Sequence, residues 1–367
     1  MTGKKIDKFF LIIVLILIFA GLAMFISASL GILARSPGLF YSVLRSQLVF
    51  GLGGGLVGMY LALKINYKFW CKYAFYIFLV AILLTAAVFI PHLGITNLGA
   101  ERWLKVGPFS FQPVELLKFA FVIYFAAWLS WVKNKAHDFK FGILPLVAML
   151  AIIAVILFKQ PDTKSFILIS ITGFSMLFIS GVPWKSILAL ILGSIAVLAV
   201  LVYFTPYLQQ RIKTFIDPSQ DSKGSSYQIQ QSMIALGGGG ILGRGYGQSI
   251  QKFSYLPEPQ GDSIFAVIGE ELGFIGAVVT IILYLLFTLR GLRIANNSPD
   301  LFSRLLVSGI VILIAAQSFM HIASVVGVFP LTGVPLVFVS HGGTSLMIDL
   351  MAVGIVLQIS KFQRKAA

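Results

Sequence analysis

A chain of 367 residues that is 58% hydrophobic and 11% charged, with a mean hydropathy of +0.94, is not a soluble domain, because those carry roughly 25% charged residues. The formal charge of +15 raises nucleic acid as a partner. However, no basic helix or stacking platform stands apart from the apolar runs, and in a polytopic membrane protein positive charge reports topology. A single cysteine, Cys71, excludes an intramolecular disulfide and a thiolate metal cluster, and His92, His137, His321 and His341 show no metal-ligand spacing.

Ten apolar runs follow one another, at 9–31, 45–63, 73–91, 114–132, 142–158, 164–181, 186–204, 264–289, 305–327 and 343–360. Runs of this length predict an all-α integral membrane protein with about ten transmembrane helices. The first is too long for the apolar stretch of a signal peptide and reads as an uncleaved helix, although Lys4 and Lys5 precede it. With the N-terminus in the cytoplasm, 16 of the 28 basic residues gather on that side, against only Asp7, Asp138 and Asp300 of the 13 acids. That asymmetry predicts both termini in the cytoplasm. The chain reads as one membrane domain, 1–367, with a large extracellular loop at 205–263 between the seventh and eighth helices.

The first polar segment runs from Gly99 to Lys118. Arg102-Trp103 with Lys105 suits an interfacial belt, where an aromatic sits at headgroup depth and cations meet phosphate. Lys118 lies one turn into the fourth helix, where an ammonium is costly and therefore a functional candidate. Glu115, three residues earlier on the same face, can pair with it. In Gln160-Pro161-Asp162, Pro161 ends the fifth helix and Asp162 is placed to cap the sixth.

Within the long insert, Ser226 to Leu236 reads as an amphipathic helix, expected near the membrane surface. The glycine-dense stretch Gly237 to Gly247 would let backbone N–H groups approach a phosphate, with Arg244 and Lys252 adding positive charge. No Gly-Lys-Ser/Thr follows, so this is no P-loop. The insert closes on Leu256-Pro257-Glu258-Pro259-Gln260-Gly261-Asp262-Ser263. Asp262 stands near the N-cap of the eighth helix; as a carboxylate where the chain re-enters the bilayer, it is also the candidate catalytic base. Glu270 and Glu271 lie deeper and call for a polar cavity or a cation, with Lys118 a candidate partner. Between Phe329 and Ser345, Pro330, Gly333 and Pro335 break any helix. Non-helical backbone at membrane depth lines a cavity or is buried in protein. Asp349 is a further buried acid without an evident partner.

These segments resemble the SEDS family (shape, elongation, division and sporulation), whose members are the FtsW, RodA and SpoVE proteins. The likeness rests on Arg102-Trp103 with Phe109-Ser110-Phe111-Gln112-Pro113 through Glu115 and Lys118, and on Tyr227-Gln228 to Gly247. It continues in Leu256-Pro257-Glu258 with Asp262, in Glu270-Glu271-Leu272-Gly273, and in Pro330-Leu331-Thr332-Gly333-Val334-Pro335 with Ser340 and Gly342-Gly343. It covers essentially the whole chain. The resemblance implies a ten-helix peptidoglycan glycosyltransferase that polymerises lipid II at the outer face of the bacterial cytoplasmic membrane. Asp262 occupies the catalytic aspartate position, and Arg102 and Lys118 match basic positions linked to activity. Glu115, Arg244, Glu258 and Ser340 complete the substrate-binding candidates. The implied partner is a class B penicillin-binding protein supplying transpeptidation, with other divisome or elongasome proteins around it. Ser27-Ala28-Ser29, Arg45 and Gln47 resemble the division branch, FtsW, more than RodA.

Four positions depart from the family pattern: Lys164 stands in place of a glycine, Gly261 of a threonine, His321 of an asparagine and His341 of a tyrosine. The expected chemistry is attack of a sugar hydroxyl on an anomeric carbon as a diphosphate leaves, with Asp262 taking the hydroxyl proton. Arg102, Lys118 and Arg244 would stabilise the leaving group; no cofactor is assigned, and a divalent cation, magnesium or manganese, is the alternative. A single essential acid suits one inverting displacement. The rival readings are a transporter that flips the lipid-linked precursor and a non-catalytic division scaffold.

Overall fold

The computed structural model describes residues 5–97, 100–106, 109–217 and 225–363. Lys4 of the charge argument, and Gly99, Gly107 and Pro108 of the first polar segment, lie outside the described residues. Among the described residues, eight helices are long and apolar enough to cross a membrane, and two shorter apolar helices bring the spans to ten. They are Lys8–Arg35 (span 1), Pro37–Lys64 (span 2), Ala74–Phe89 (span 3), Pro113–Val132 (span 4) and Phe139–Lys159 (span 5). Thr163–Ile179 (span 6), Trp184–Phe204 (span 7), Ile264–Asn296 (span 8), Leu301–Val325 (span 9) and Gly343–Ser360 (span 10) follow. Every expected run falls on one of these. Span 2 starts earlier than hydropathy suggests, because Pro37 at its first turn is pre-set for a helix while the residues behind it are too polar for an apolar window.

Spans 4, 9 and 10 form the buried centre, whereas span 7 stands at the rim with Ile187 buried and most other side chains facing outward. Spans 2 and 10 cross in near backbone contact: a Cβ added to Gly354 would lie 2.5 Å from the Met59 carbonyl oxygen. Close approach at small residues is the usual packing solution where lipid removes the hydrophobic drive between helices.

One end of the bundle is tied by polar contacts. The Asp7 carboxylate caps span 1 by accepting from Phe10 N–H at 2.9 Å, and Arg290 of span 8 donates to it at 2.8 Å. The Asp7 N–H donates to Ser360 Oγ at the close of span 10. Both ends of the helical chain therefore meet on one side.

Two features were not visible in the hydropathy pattern. An antiparallel sheet of three short strands, β1 (Gly94–Asn97), β2 (Ala100–Val106) and β3 (Phe109–Phe111), connects spans 3 and 4 in the order β1-β2-β3. Span 8 is broken at Gly273, whose φ of 68° and ψ of −167° is a conformation essentially reserved for glycine. The insert between spans 7 and 8 carries the helices Pro206–Ile216 and Ser225–Gly238. The latter confirms the expected helix, but it packs on span 8 with Ile229 and Ala235 buried.

Candidate active site

A cavity of about 640 Å³ lies between the start of span 6, the end of span 7, the helix Pro206–Ile216 and the loop 326–342. Its charged lining consists of Arg102 from β2, Lys164 from span 6, Arg211 from the insert and Asp262 from the start of span 8. Three cations thus face one carboxylate. Arg102 is held by donating from Nε to Gln160 O at 2.9 Å and from Nη2 to Pro161 O at 2.5 Å. Arg211 donates to Leu331 O at 2.7 Å and stacks over Tyr207, 4.6 Å from the ring centre. Burial holds its guanidinium below the ordinary value, and the Arg102 charge acts the same way, while Tyr207, Asp262 and Asp162 oppose them.

Asp262 does not cap span 8. The N-cap is Ser263, whose hydroxyl donates to Pro257 O at 2.9 Å and accepts from Gln228 Nε2 at 3.0 Å. The Asp262 carboxylate accepts no hydrogen bond and forms no ion pair among the described residues, and it faces the cavity across Gly333. A Cβ added to Gly333 would lie 2.9 Å from Asp262 Oδ2 and 3.7 Å from Lys164 Nζ. Lys164 donates to the Gly333 carbonyl.

The loop carrying Asp262 is fixed from behind. Ser340 Oγ donates to Gly261 O at 2.8 Å and accepts from Leu336 N–H at 2.8 Å, and the His341 N–H donates to Gln260 O at 2.7 Å. Gln47 donates to Ser340 O and accepts from Gly342 N–H; it sits in a π-helical stretch of span 2, Ser46–Gly54, a geometry that recurs at functional sites. Ser340 is therefore bonded to the loop backbone rather than lining the cavity. Glu258 stands close to Asp262 and accepts from Gln260 Nε2 at 2.8 Å. Burial, and then the Asp262 charge, push its carboxyl above the ordinary value.

Lys118 and Glu115 form the expected pair, at 2.9 Å, but outside the cavity lining and fully buried. Lys118 also donates to Gln317 Oε1 at 2.7 Å. Ser345 Oγ donates to Glu115 at 2.8 Å and lies 3.2 Å from Asp349, which supplies the partner that the sequence did not reveal. The link to the site is indirect: Gln317 donates to Pro335 O, in the loop that holds Gly333.

Three expectations about the glycine-rich stretch are corrected. Lys118 does not partner Glu270 and Glu271. Lys252 pairs with Glu271 at 2.6 Å with both side chains fully buried, and Ser27 donates to the same carboxylate at 2.7 Å. The glycine N–H groups are turned to the protein itself: Gly247 N–H donates to Glu271 Oε2 at 2.9 Å, and those of Arg244 and Gly245 donate to the carbonyls of Glu270 and Glu271 at the break in span 8. The carboxylate occupies the place expected for a phosphate. Arg244 faces Glu270 at 3.6 Å and donates to Gly238 O, so it does not line the cavity. As expected, Asp162 caps span 6, accepting from Ser165.

The family described as cell cycle protein, covering FtsW, RodA and SpoVE, matches residues 7–365. The chain belongs to this family. Stage V sporulation protein E of Bacillus subtilis (strain 168) is 36% identical over 366 residues, 99% of this chain and 100% of the relative. The probable peptidoglycan glycosyltransferase FtsW of Geobacter sulfurreducens is 38% identical over 360 residues, 97% of this chain and 96% of the relative. Among solved structures, a chain of a peptidoglycan synthase complex that coordinates polymerization and crosslinking superposes with a TM-score of 0.81 at 26% identity. That match covers 98% of this chain and 99% of the other. The rod shape determining protein RodA of Thermus thermophilus superposes with a TM-score of 0.72 at 25% identity, covering 98% of each chain.

Within this SEDS fold, sequence reasoning missed the cavity-lining Arg211 and assigned no role to Lys164. Arg211 sits in a polar insert where one more arginine carries no signal, and Lys164 was visible only as a lysine standing where the family pattern has glycine.

Proposed function

We propose that this chain is a peptidoglycan glycosyltransferase that polymerises lipid II at the outer face of the bacterial cytoplasmic membrane, in septal synthesis during division. The observation that carries this reading is the Asp262 carboxylate, without a hydrogen bond or ion pair among the described residues, in a cavity with Arg102 and Arg211, in a chain whose relatives include a probable peptidoglycan glycosyltransferase. In this account both termini are cytoplasmic, 1–367 forms one membrane domain, and the insert 205–263 is extracellular. A class B penicillin-binding protein is the proposed transpeptidase partner, by analogy with the synthase complex.

Asp262 accepts the proton of the acceptor sugar hydroxyl as that oxygen attacks the anomeric carbon. The bond from that carbon to the diphosphate breaks, and its electron pair leaves on the phosphate oxygen. General-base assistance of this kind is worth about 10²–10⁴-fold. Arg102 and Arg211 meet the negative charge that develops on the leaving diphosphate, from positions fixed before the reaction by their backbone hydrogen bonds. A single base and one displacement invert the α-linked donor to a β-linked polymer without a covalent intermediate. The lining offers one carboxylate against three cations, and no group of three His, Cys, Asp or Glu side chains gathers among the described residues. That donor set does not suit a resident divalent ion.

The buried Lys118–Glu115–Ser345–Asp349 chain favours a second reading, a flippase for the lipid-linked precursor. Purified protein in vesicles loaded with labelled lipid II separates the two. Polymer on a gel supports the transferase, transbilayer movement without polymer the flippase, and neither outcome a scaffold.

A further inference from the structure

We infer that Lys164 is a diphosphate-binding residue of this chain, closing a three-cation cradle with Arg102 and Arg211 beside Asp262. The inference rests on the transferase reading above and names the ligand group of that site. Lys164 follows Thr163 in the first turn of span 6, where the helix already presents its positive end. A lysine is misplaced there unless something anionic offsets it. Asp162, two residues earlier, is engaged in capping Ser165, and Asp262, across Gly333, makes no ion pair with Lys164 among the described residues. Among the described residues the Lys164 ammonium makes no ion pair, and its one hydrogen bond goes to the Gly333 carbonyl. Arg102 and Arg211 likewise donate only to carbonyl oxygens among the described residues, of Gln160, Pro161 and Leu331, with the rest of each guanidinium's N–H groups left over.

Three cations sharing one cavity with a single carboxylate repel one another and leave a surplus of positive charge. An anion of two or more charges balances that surplus, and a diphosphate supplies both the charge and several acceptor oxygens. Lys164 and Asp262 flank the same glycine. A diphosphate on Lys164 therefore shares the cavity with the base, within reach of a sugar whose anomeric carbon is attacked on one face by the activated hydroxyl while the diphosphate leaves from the other. A purely structural alternative is that Lys164 pins the loop through Gly333 O. Glutamine can keep that hydrogen bond without the charge, which separates the two roles.

The test measures binding of inorganic pyrophosphate and, separately, of a polyprenyl diphosphate to the purified full chain in detergent by calorimetry, alongside the KM for lipid II. Wild type and Lys164→Arg are expected to bind pyrophosphate with affinities within about threefold of each other. Lys164→Gln should bind about tenfold or more weakly, the scale of a lost charge-assisted hydrogen bond, at an unchanged melting temperature. Pyrophosphate binding that Lys164→Gln leaves intact overturns the inference and leaves Lys164 a loop pin. Polymerisation by wild type without Lys164-dependent binding of either probe also overturns it, while the transferase reading survives. Lys164-dependent binding without polymer keeps the diphosphate site and sinks the transferase reading. Tighter binding of the polyprenyl form than of pyrophosphate assigns part of the recognition to the lipid.

Discussion

The Ser340 hydroxyl donates to the carbonyl of Gly261, one residue before Asp262, at 2.8 Å. The same oxygen accepts the Leu336 N–H, so one side chain joins the loop after span 9 to the turn that presents the carboxylate. Ser340→Ala strands both groups, at about 1–3 kcal/mol for each buried one. The Asp262 loop is then free to drift, and turnover of lipid II should fall roughly tenfold to a hundredfold, the scale of an ångström-level misplacement. Paired measurements of melting temperature and kcat check this, and wild-type kcat in Ser340→Ala would remove the positioning role.

Lys252 and Glu271 form a fully buried pair on which the glycine-rich stretch closes. Removing one member of such a pair costs about 3–5 kcal/mol, because the other charge stays buried alone. Lys252→Met should therefore lower thermal stability strongly. The double variant Lys252→Met with Glu271→Gln should recover much of the loss. Equal melting temperatures for the single and double variants would show that the stranded charge is not the cause.

Arg211 and Arg244 belong to the same insert and differ in address. Arg211 faces Asp262 in the cavity, whereas Arg244 is half-exposed against Glu270. Arg211→Gln is expected to reduce kcat/KM about tenfold or more, as for a lost contact to a charged group. Arg244→Gln should stay within about threefold of wild type. The reverse order of effects would move the leaving-group contact to the glycine-rich stretch.

Glu258 gives a pH dependence whose sign follows from its surroundings. Burial and the Asp262 charge hold its carboxyl above the ordinary value of 4.5, so the folded chain keeps this proton to higher pH than the unfolded chain does. Its contribution to stability is full below pH 4.5 and declines as pH rises through the raised native value. Glu258→Gln should flatten the melting-temperature curve in the window just above pH 4.5. Superimposable wild-type and variant curves there would contradict the assignment.

The ten spans were legible because membrane helices are written in composition: each must be predominantly apolar, and from Lys8 to Ser360 the chain obeys that except at a few buried charges such as Glu115 and Lys118. The Glu115–Lys118 pair was legible for a related reason, since residues three apart share one helical face. The cavity was not. It assembles Arg102, Lys164, Arg211, Asp262 and Gly333 from five separate segments, and no local pattern records which cations converge. The glycines misled in an instructive way. Their N–H groups do approach a carboxylate-sized anion, but Glu271 of the same chain supplies it. A sequence shows that a backbone can come close, not what it comes close to.

The central claim, that Asp262 is the base for glycan polymerisation, is tested most directly by following strand formation from purified lipid II with wild type and Asp262→Asn. Since the carboxylate makes no hydrogen bond or ion pair among the described residues, the amide should leave the melting temperature unchanged. The account predicts polymer from wild type and a loss of about 10²-fold or more in the variant. Polymerisation by folded Asp262→Asn at the wild-type rate would contradict it.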